Sequence, residues 1–262
     1  NMAKQVPGKE EFWGLVDWYR VMLVESGVDV KLNTDVSSDD LAGFDDVIIA
    51  TGVIPRDPIK MFIDAPNVLS YIDVLRGKAE VGKRVVIIGA GGIGFDVAEA
   101  LVQEGISPTE DLEAWKEEWG VGDPSETRGG LAPAGPQPDA PAREVTLLQR
   151  KASKHGKGLG KTTGWIHRAA LKMKNVQMIG GVNYERVEEG GLYVSFGEAH
   201  EDPQLIEADT IVLCAGQLPE RSLADALEAK GVACHVIGGA DVASELDAKR
   251  AINQGTRLAA SL

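Results

Sequence analysis

Lys83–Leu101 reads KRVVIIGAGGIGFDVAEAL, and its three parts set the expected architecture. Arg84–Ile88 is a β-branched apolar run, the composition of a strand buried on both faces. It leads into Gly89-Ala90-Gly91-Gly92-Ile93-Gly94, a G-x-G-x-x-G. Ile93, Val97, Ala100 and Leu101 then recur at helical spacing. Strand, glycine turn and helix in this order are the context in which the motif signals a dinucleotide site. Gly89 permits the tight turn, Gly91 lets a pyrophosphate approach the backbone, and Gly94 lets helix and strand pack closely. The helix start offers unpaired N–H groups and the positive end of its dipole to the phosphates. A glycine turn without a ligand would use the same residues.

The 262 residues suffice for one large or two ordinary domains, and a 44% apolar fraction can build a packed core. With 27 Lys and Arg against 40 Asp and Glu, the net charge of −13 argues against nucleic acid and anionic membrane as partners. No apolar run approaches the roughly eighteen residues of a membrane span. No charged-then-apolar signal pattern opens the chain. A cytoplasmic location is expected. Cys214 and Cys234 are too few for an iron–sulfur or zinc site by themselves, and two thiols in a reducing compartment is the simpler reading.

Upstream of the glycine turn, Glu10–Ser26 carries Phe12, Leu15, Val16, Tyr19, Met22 and Leu23 at helical spacing, and Gly27 is a fitting stop. Val28–Leu32 alternates and predicts a strand. A second apolar run, Val47–Ile49, leads to Ala50-Thr51-Gly52. Val53–Arg56 follows, with Pro55 closing the strand. Pro66–Asp73 reads as a connector and Val74–Ala79 as a short helical turn.

Downstream, the second strand of a dinucleotide unit is due soon after the helix, yet about forty residues, 103–143, intervene. Glu110–Trp119 predicts a helix; Gly120–Ala142 is rich in Gly, Pro and Ala and predicts a surface loop. The segment is either a plain insertion or a lid. Glu144–Leu148 is then the second strand, ending in Gln149-Arg150-Lys151. An acidic residue there would bond the ribose 2′-hydroxyl of NAD; a cation pairs with the 2′-phosphate of NADP. Arg150 and Lys151 therefore favour NADP, unless both are ordinary solvated charges.

Lys157–Thr163, KGLGKTT, is not a P-loop. That motif needs a glycine where His155 stands, and no strand precedes the segment directly. It predicts a loop before the helix Trp165–Met173. Val176–Ile179 is a further strand. Val182–Val187 and Leu192–Phe196 form a hairpin across Glu189–Gly191. Thr210–Cys214 is an apolar strand ending in Ala215-Gly216-Gln217-Leu218-Pro219, an echo of Ala50-Thr51-Gly52 with Pro55. Leu223–Lys230 is helical. Val232–Ile237 is the last strand, closed by Gly238-Gly239-Ala240-Asp241. Ala248–Leu262 is a helix with Asp247 as N-cap.

Four marks thus occur in order: Ala-Thr-Gly, G-x-G-x-x-G, Ala-Gly-x-x-Pro, and Gly-x-Asp before a terminal helix. Together they resemble the pyridine-nucleotide-disulfide-reductase-like flavoproteins, in which an NAD(P) domain is inserted in an FAD domain. The longer strings NMAKQVPGKEEF, VLSYIDVLRGKA, LLQRKASK, GLGKTTGWIHR and ELDAKRAINQGTR resemble the C-terminal part of the bacterial NADPH-dependent 2,4-dienoyl-CoA reductases and their relatives among the NADH:flavin oxidoreductases.

The resemblance implies an α/β fold, a Rossmann-like NAD(P)-binding domain inserted in an incomplete FAD-binding Rossmann-like domain. Residues 1–80 and 216–262 would form the FAD part and 81–215 the NADP part. It implies a missing N-terminal barrel with FMN and a 4Fe-4S cluster, where an acyl-CoA substrate would be reduced. Asn1-Met2 does not look like a natural start, and the chain resembles a fragment truncated inside the FAD domain. Gly89, Gly91, Gly92 and Gly94 would hold the NADPH pyrophosphate. Asp96 matches an acidic position near nicotinamide and flavin, with an Asp in place of the commoner Glu; a surface helix carboxylate is the alternative. Gly52, Gly216, Gly239, Asp241 and Val242 would belong to the FAD site, with Asp241 on the ribityl chain or simply in a turn. The helix starting at Ala248 would point its dipole at the flavin pyrimidine. No catalytic residue is expected in this chain, because the cofactors carry the reactive atoms. The implied activity is hydride transfer from NADPH to FAD. The alternatives are a nucleotide-binding fragment without redox activity of its own, and the module of an amine or enone flavin oxidoreductase.

Overall fold

The structure, a computed structural model, describes residues 2–56, 65–244 and 247–262. Asn1 of the first quoted string, and Glu245 and Leu246 of the last, lie outside them. In chain order the elements are α1 (Phe12–Glu25), β1 (Ile48–Ile49), β2 (Val53–Pro55), β3 (Val68–Ser70), α2 (Tyr71–Leu75), β4 (Arg84–Ile88), α3 (Gly92–Val102) and α4 (Leu112–Trp119). There follow β5 (Glu144–Gln149), α5 (Gly164–Met173), β6 (Gln177–Gly180), β7 (Val182–Glu188), β8 (Gly191–Phe196), β9 (Gln204–Glu207) and β10 (Thr210–Leu213). Last come β11 (Gln217–Pro219), α6 (Ser222–Ala229), β12 (His235–Val236) and α7 (Ala248–Ala259).

The chain divides into two compact units, Asn1–Val21 with Ile59–Ala215, and Met22–Pro58 with Gly216–Leu262. The expected break at 80/81 is not where the structure divides. The stretch expected as a connector holds β3, which pairs in parallel with β10, Ile211 opposite Val68, and so ties residues 68–70 into the first unit.

The first unit is built on a parallel sheet in the order β3-β10-β4-β5-β6. Alternate residues of its strands point to opposite faces. Val85, Ile87, Leu147 and Val212 join Phe95, Val97 and Leu101 of α3 and Leu171 of α5 in one core. Val86, Ile88, Leu148 and Ile211 point the other way, against Val182, Leu192 and Val194 of the antiparallel sheet β7-β8-β9. Val85–Ile88 are buried on both faces, which explains why the strand reads as an unbroken apolar run rather than an alternating one.

Phe95 is fully buried at the first turns of α3. Phe95→Ala is expected to cost about 3–5 kcal/mol, the usual cost of an emptied aromatic site in a core. A urea titration followed by circular dichroism measures it, as a lowered midpoint at unchanged slope.

Other expectations are corrected. Val28–Leu32 forms no strand; residues 28–37 are all exposed, and no ladder among the described residues pairs with them. Alternation alone does not hold an extended segment without a hydrogen-bonded neighbour. The Glu10–Ser26 helix forms as α1, but none of its residues is buried. The short turn expected at Val74–Ala79 is α2, begun earlier because Ser70 caps it by accepting from Ile72 N–H. The last strand contracts to β12. β9 is a strand that the polar Gln204–Glu207 did not announce.

The second unit pairs β1 with β12 in parallel and β2 with β11 antiparallel. Val47, Ile49, Ala224, Leu227 and Ala240 form its core. Asp247 caps α7 by accepting from Arg250 N–H at 2.7 Å.

Candidate functional site: the glycine turn of the first unit

β4 leads through α3 to β5 on one side, whereas β10, entered from the antiparallel sheet, lies on the other side of β4. Strand order therefore reverses between β4 and β10, and the carboxyl ends of those two strands flank the crevice where open α/β sheets bind ligands. Gly89 sits at that end of β4, with its N–H on Leu148 O at 2.9 Å. Cys214 sits at the matching end of β10, with its N–H on Ile88 O at 2.8 Å.

The glycines of the turn divide into two physical kinds. Gly89 has φ +114°, and a Cβ there would lie 2.4 Å from Cys214 O. A Cβ on Gly94 would lie 1.8 Å from Gly89 O. These two are demanded by the fold. Gly91 and Gly92 are not: a Cβ on either meets nothing within 4 Å, and Gly91 has an ordinary φ of −84°. Gly91 is the N-cap of α3 and supplies no side-chain cap hydrogen bond to the first-turn N–H groups. The segment after β5 closes over this turn, Gly156 N–H donating to Ala90 O at 3.1 Å.

Arg150 and Lys151 lie exposed beyond β5. The Lys151 carbonyl accepts from Gln149 Nε2 at 2.7 Å and from Gly181 N–H at 3.3 Å, which fixes the backbone and leaves the side chain outward. Among the described residues neither cation pairs with a carboxylate. Arg150 is electrostatically felt by Tyr184, whose hydroxyl burial pushes up to about 12.

Asp96 is held by Lys9 of the N-terminal segment, whose ammonium is 2.7 Å from both carboxylate oxygens. Nothing local to Asp96 announces this partner, 87 positions away. One turn on, Glu99 Oε1 accepts from His167 Nδ1–H of α5 at 2.7 Å. That hydrogen bond raises the imidazole's pKa. The pair therefore stabilises the fold fully below the ordinary histidine value near 6.5, and the contribution is lost as pH rises through the raised value. Glu99→Gln is expected to return the His167 pKa downward and flatten that part of the stability profile. Imidazole chemical shifts followed through a pH titration check it. Cys214 is buried, and burial pushes its thiol up, so it is no thiolate nucleophile.

In the second unit Gly52 and Gly216 adopt φ +82° and +107°, which glycine alone enters freely. Thr51 Oγ1 donates to Glu220 O at 2.6 Å, joining the two crossing segments. Gly239 is buried beside Gly238, whose N–H donates to Gln254 Oε1 at 2.8 Å. Asp241 accepts from Gln254 Nε2 at 2.8 Å. Val242 is exposed, and its carbonyl accepts from Arg250. Ala248 opens α7, where Asp247 already takes one first-turn N–H. Asp241, Val242 and Ala248 thus gather around α7, while Gly52 and Gly216 belong to the β2/β11 crossing. Among the described residues no three metal-ligating side chains cluster, and no helix is long and apolar enough to cross a membrane.

The parallel sheet, the reversal point and the glycine turn define an α/β fold of the Rossmann type. Residues 15–250 match the family model for pyridine nucleotide-disulphide oxidoreductases, and the chain belongs to that family, whose members use flavin and nicotinamide nucleotides. It is 24% identical over 245 residues to a metal reductase of Desulforamulus reducens, covering 91% of this chain and 35% of the relative. It is 39% identical over 108 residues to a cinnamate reductase of Clostridium sporogenes, covering 38% of this chain and 16% of the relative. Among solved structures it is similar in fold to a 2-naphthoyl-CoA reductase (TM-score 0.77, 22% identity, all of this chain and 34% of that one). It is likewise similar to the 6-hydroxypseudooxynicotine amine oxidase of Pseudomonas geniculata (TM-score 0.68, 20% identity, 98% of this chain and 35% of that one). The chain spans about a third of the length of the metal reductase and of both solved structures.

Proposed function

We propose that the first unit binds NADPH and passes its hydride to FAD held by the second, as the nucleotide module of a reductase for 2,4-dienoyl-CoA substrates. One observation carries the nucleotide reading. Gly91 and Gly92 are glycines where neither backbone angle nor packing requires one, on a bare helix start at the strand reversal. Space left by two missing side chains, under exposed N–H groups, suits a diphosphate. Arg150 and Lys151, cations without an ion pair among the described residues in a chain of net charge −13, support the 2′-phosphate. When bound, the cofactors supply the redox chemistry; the chain's residues bind and orient them, and Lys9 keeps the Asp96 carboxylate charge-balanced. The expected FAD ligands remain Gly52, Gly216, Gly239, Asp241, Val242 and the start of α7 at Ala248. The dienoyl-CoA assignment rests on the long sequence strings. The resemblance places reduction of that substrate on an FMN and 4Fe-4S barrel outside these residues.

Isothermal titration with NADPH, NADH and FAD tests the reading, followed by anaerobic addition of NADPH to the chain with FAD. NADPH binding with bleaching of the flavin absorbance is expected. A folded sample that binds neither pyridine nucleotide refutes it. A fragment that binds NADPH but leaves the flavin oxidised is a nucleotide-binding module only. Similarity in fold to an amine oxidase keeps an amine substrate for the whole protein as the second reading.

A further inference from the structure

The segment 103–143 is not used by the nucleotide reading, yet it is built with care. Asp111 caps α4 by accepting from Glu113 and Ala114 N–H at 3.0 and 3.1 Å, and Gly120 ends it in the left-handed conformation. Trp115 and Trp119 stack at 6.4 Å between centroids. Glu118 of the same helix forms an ion pair with Lys174 at 3.0 Å, with both side chains largely buried (15% and 7% exposed). Lys174 also donates to Asp139 O at 3.2 Å, so the far end of the segment is fixed as well. Between α4 and the facing turns of α3 and α5 lies a cavity of about 270 Å³. Trp115 and Trp119 of α4 and His167 and Ala170 of α5 line it.

The lining chemistry narrows the occupant. A volume a little under the ~300–1,000 Å³ of ordinary small-molecule sites admits about one bicyclic ring system. The tryptophans offer flat apolar surface, the preference of an aromatic ring. The lining carboxylates offer a cation no free charge, because both already have partners: Glu118 is paired with Lys174 and Glu99 with His167. Nδ1 of His167 faces Glu99, and among the described residues its Nε2 has no hydrogen-bond partner. With Glu99 favouring the protonated ring, the Nε2–H of this lining residue is an available donor. We propose that this cavity is a binding site for a small planar aromatic carboxylate, its ring against Trp115 and Trp119 and its carboxylate on His167 Nε2. Ala170, one turn along α5 from His167, supplies the room for the ring.

Indole-2-carboxylate, with neutral indole-2-carboxamide as its isostere, is the probe. The readout is the ¹⁵N-indole NMR signals of Trp115 and Trp119, assigned with W115F and W119F. At pH 6 saturable shifts in both signals are expected, with the acid binding about tenfold more tightly than the amide. His167→Gln is expected to erase that ratio while leaving amide binding. Ala170→Leu, which fills the space without touching a polar group, is expected to abolish the shifts. The acid's advantage is expected to shrink as pH rises and the imidazole loses its proton, against the fields of Glu99 and Asp96 on α3 and of Lys9 from the N-terminal segment. Absence of saturable shifts in the folded protein, equal binding of acid and amide, or unchanged binding by Ala170→Leu would overturn the proposal. No nucleotide enters these measurements, so failure here leaves the NADPH reading standing, and the reverse.

Discussion

Gly94→Ala is expected to unsettle the whole first unit, whereas Gly91→Ala, three positions earlier, leaves it intact and weakens nucleotide binding. A Cβ at 94 would stand 1.8 Å from Gly89 O, far inside contact distance, and that oxygen belongs to backbone. Gly89 is itself tied to the sheet, its N–H donating to Leu148 O at 2.9 Å. The helix must lift from the strand, opening the core around Phe95 and Leu147. Overpacking of this kind costs about 1–3 kcal/mol, and with no flexible neighbour to yield the upper end applies. For a unit of this size that lowers Tm by roughly 6–12 °C. At Gly91 the same methyl meets nothing within 4 Å and the backbone angle is ordinary, so Tm is expected to hold within about 1 °C. What the methyl occupies is the space proposed for the diphosphate, and NADPH affinity is expected to fall by roughly tenfold or more. Calorimetric unfolding paired with NADPH titration separates the two. If Gly91→Ala binds NADPH like the parent, the space is not a phosphate cradle.

The second large effect concerns coenzyme choice. In the double variant Arg150→Ala with Lys151→Ala, NADPH is expected to bind about a hundredfold more weakly and NADH within threefold of the parent. Hydrogen bonds to a charged partner contribute about 1.5–3 kcal/mol each, and two of them at the low end account for that factor. Both side chains are exposed and form no ion pair among the described residues, so unfolding is expected to stay within about 0.5 kcal/mol of the parent. The preference should also weaken with added salt, because surface phosphate contacts are screened. Equal losses for both coenzymes would make the two cations general electrostatic attractors. A parent that prefers NADH would remove them from the site altogether.

How much of this was legible depends on the range of the interaction concerned. The β4–turn–α3 unit was readable because each of its signals is local: β-branching for the strand, glycine where φ is positive, and a 3.6-residue period for the helix. The hairpin β7–β8 was readable for the same reason. β3 was not, since three residues make a strand only when β10 is beside them. Val28–Leu32 had the right alternation and no partner, and it stays irregular. Asp96 was singled out by position, but its charge is balanced by Lys9, and nothing near either residue announces the other. His167 lay within a quoted string with no role assigned. Only the packing of α5 on α3 brings it to Glu99.

By itself, then, the sequence determined a parallel α/β core with a glycine turn at a strand end, because backbone conformation and hydrophobic period are encoded over a few residues. Tertiary structure alone decided that Gly91 and Gly92 are free of packing while Gly89 and Gly94 are locked. It also decided that residues 65–80 join the first unit and that segment 103–143 walls a cavity. Those outcomes turn on distances between atoms far apart in the chain, which no local pattern contains.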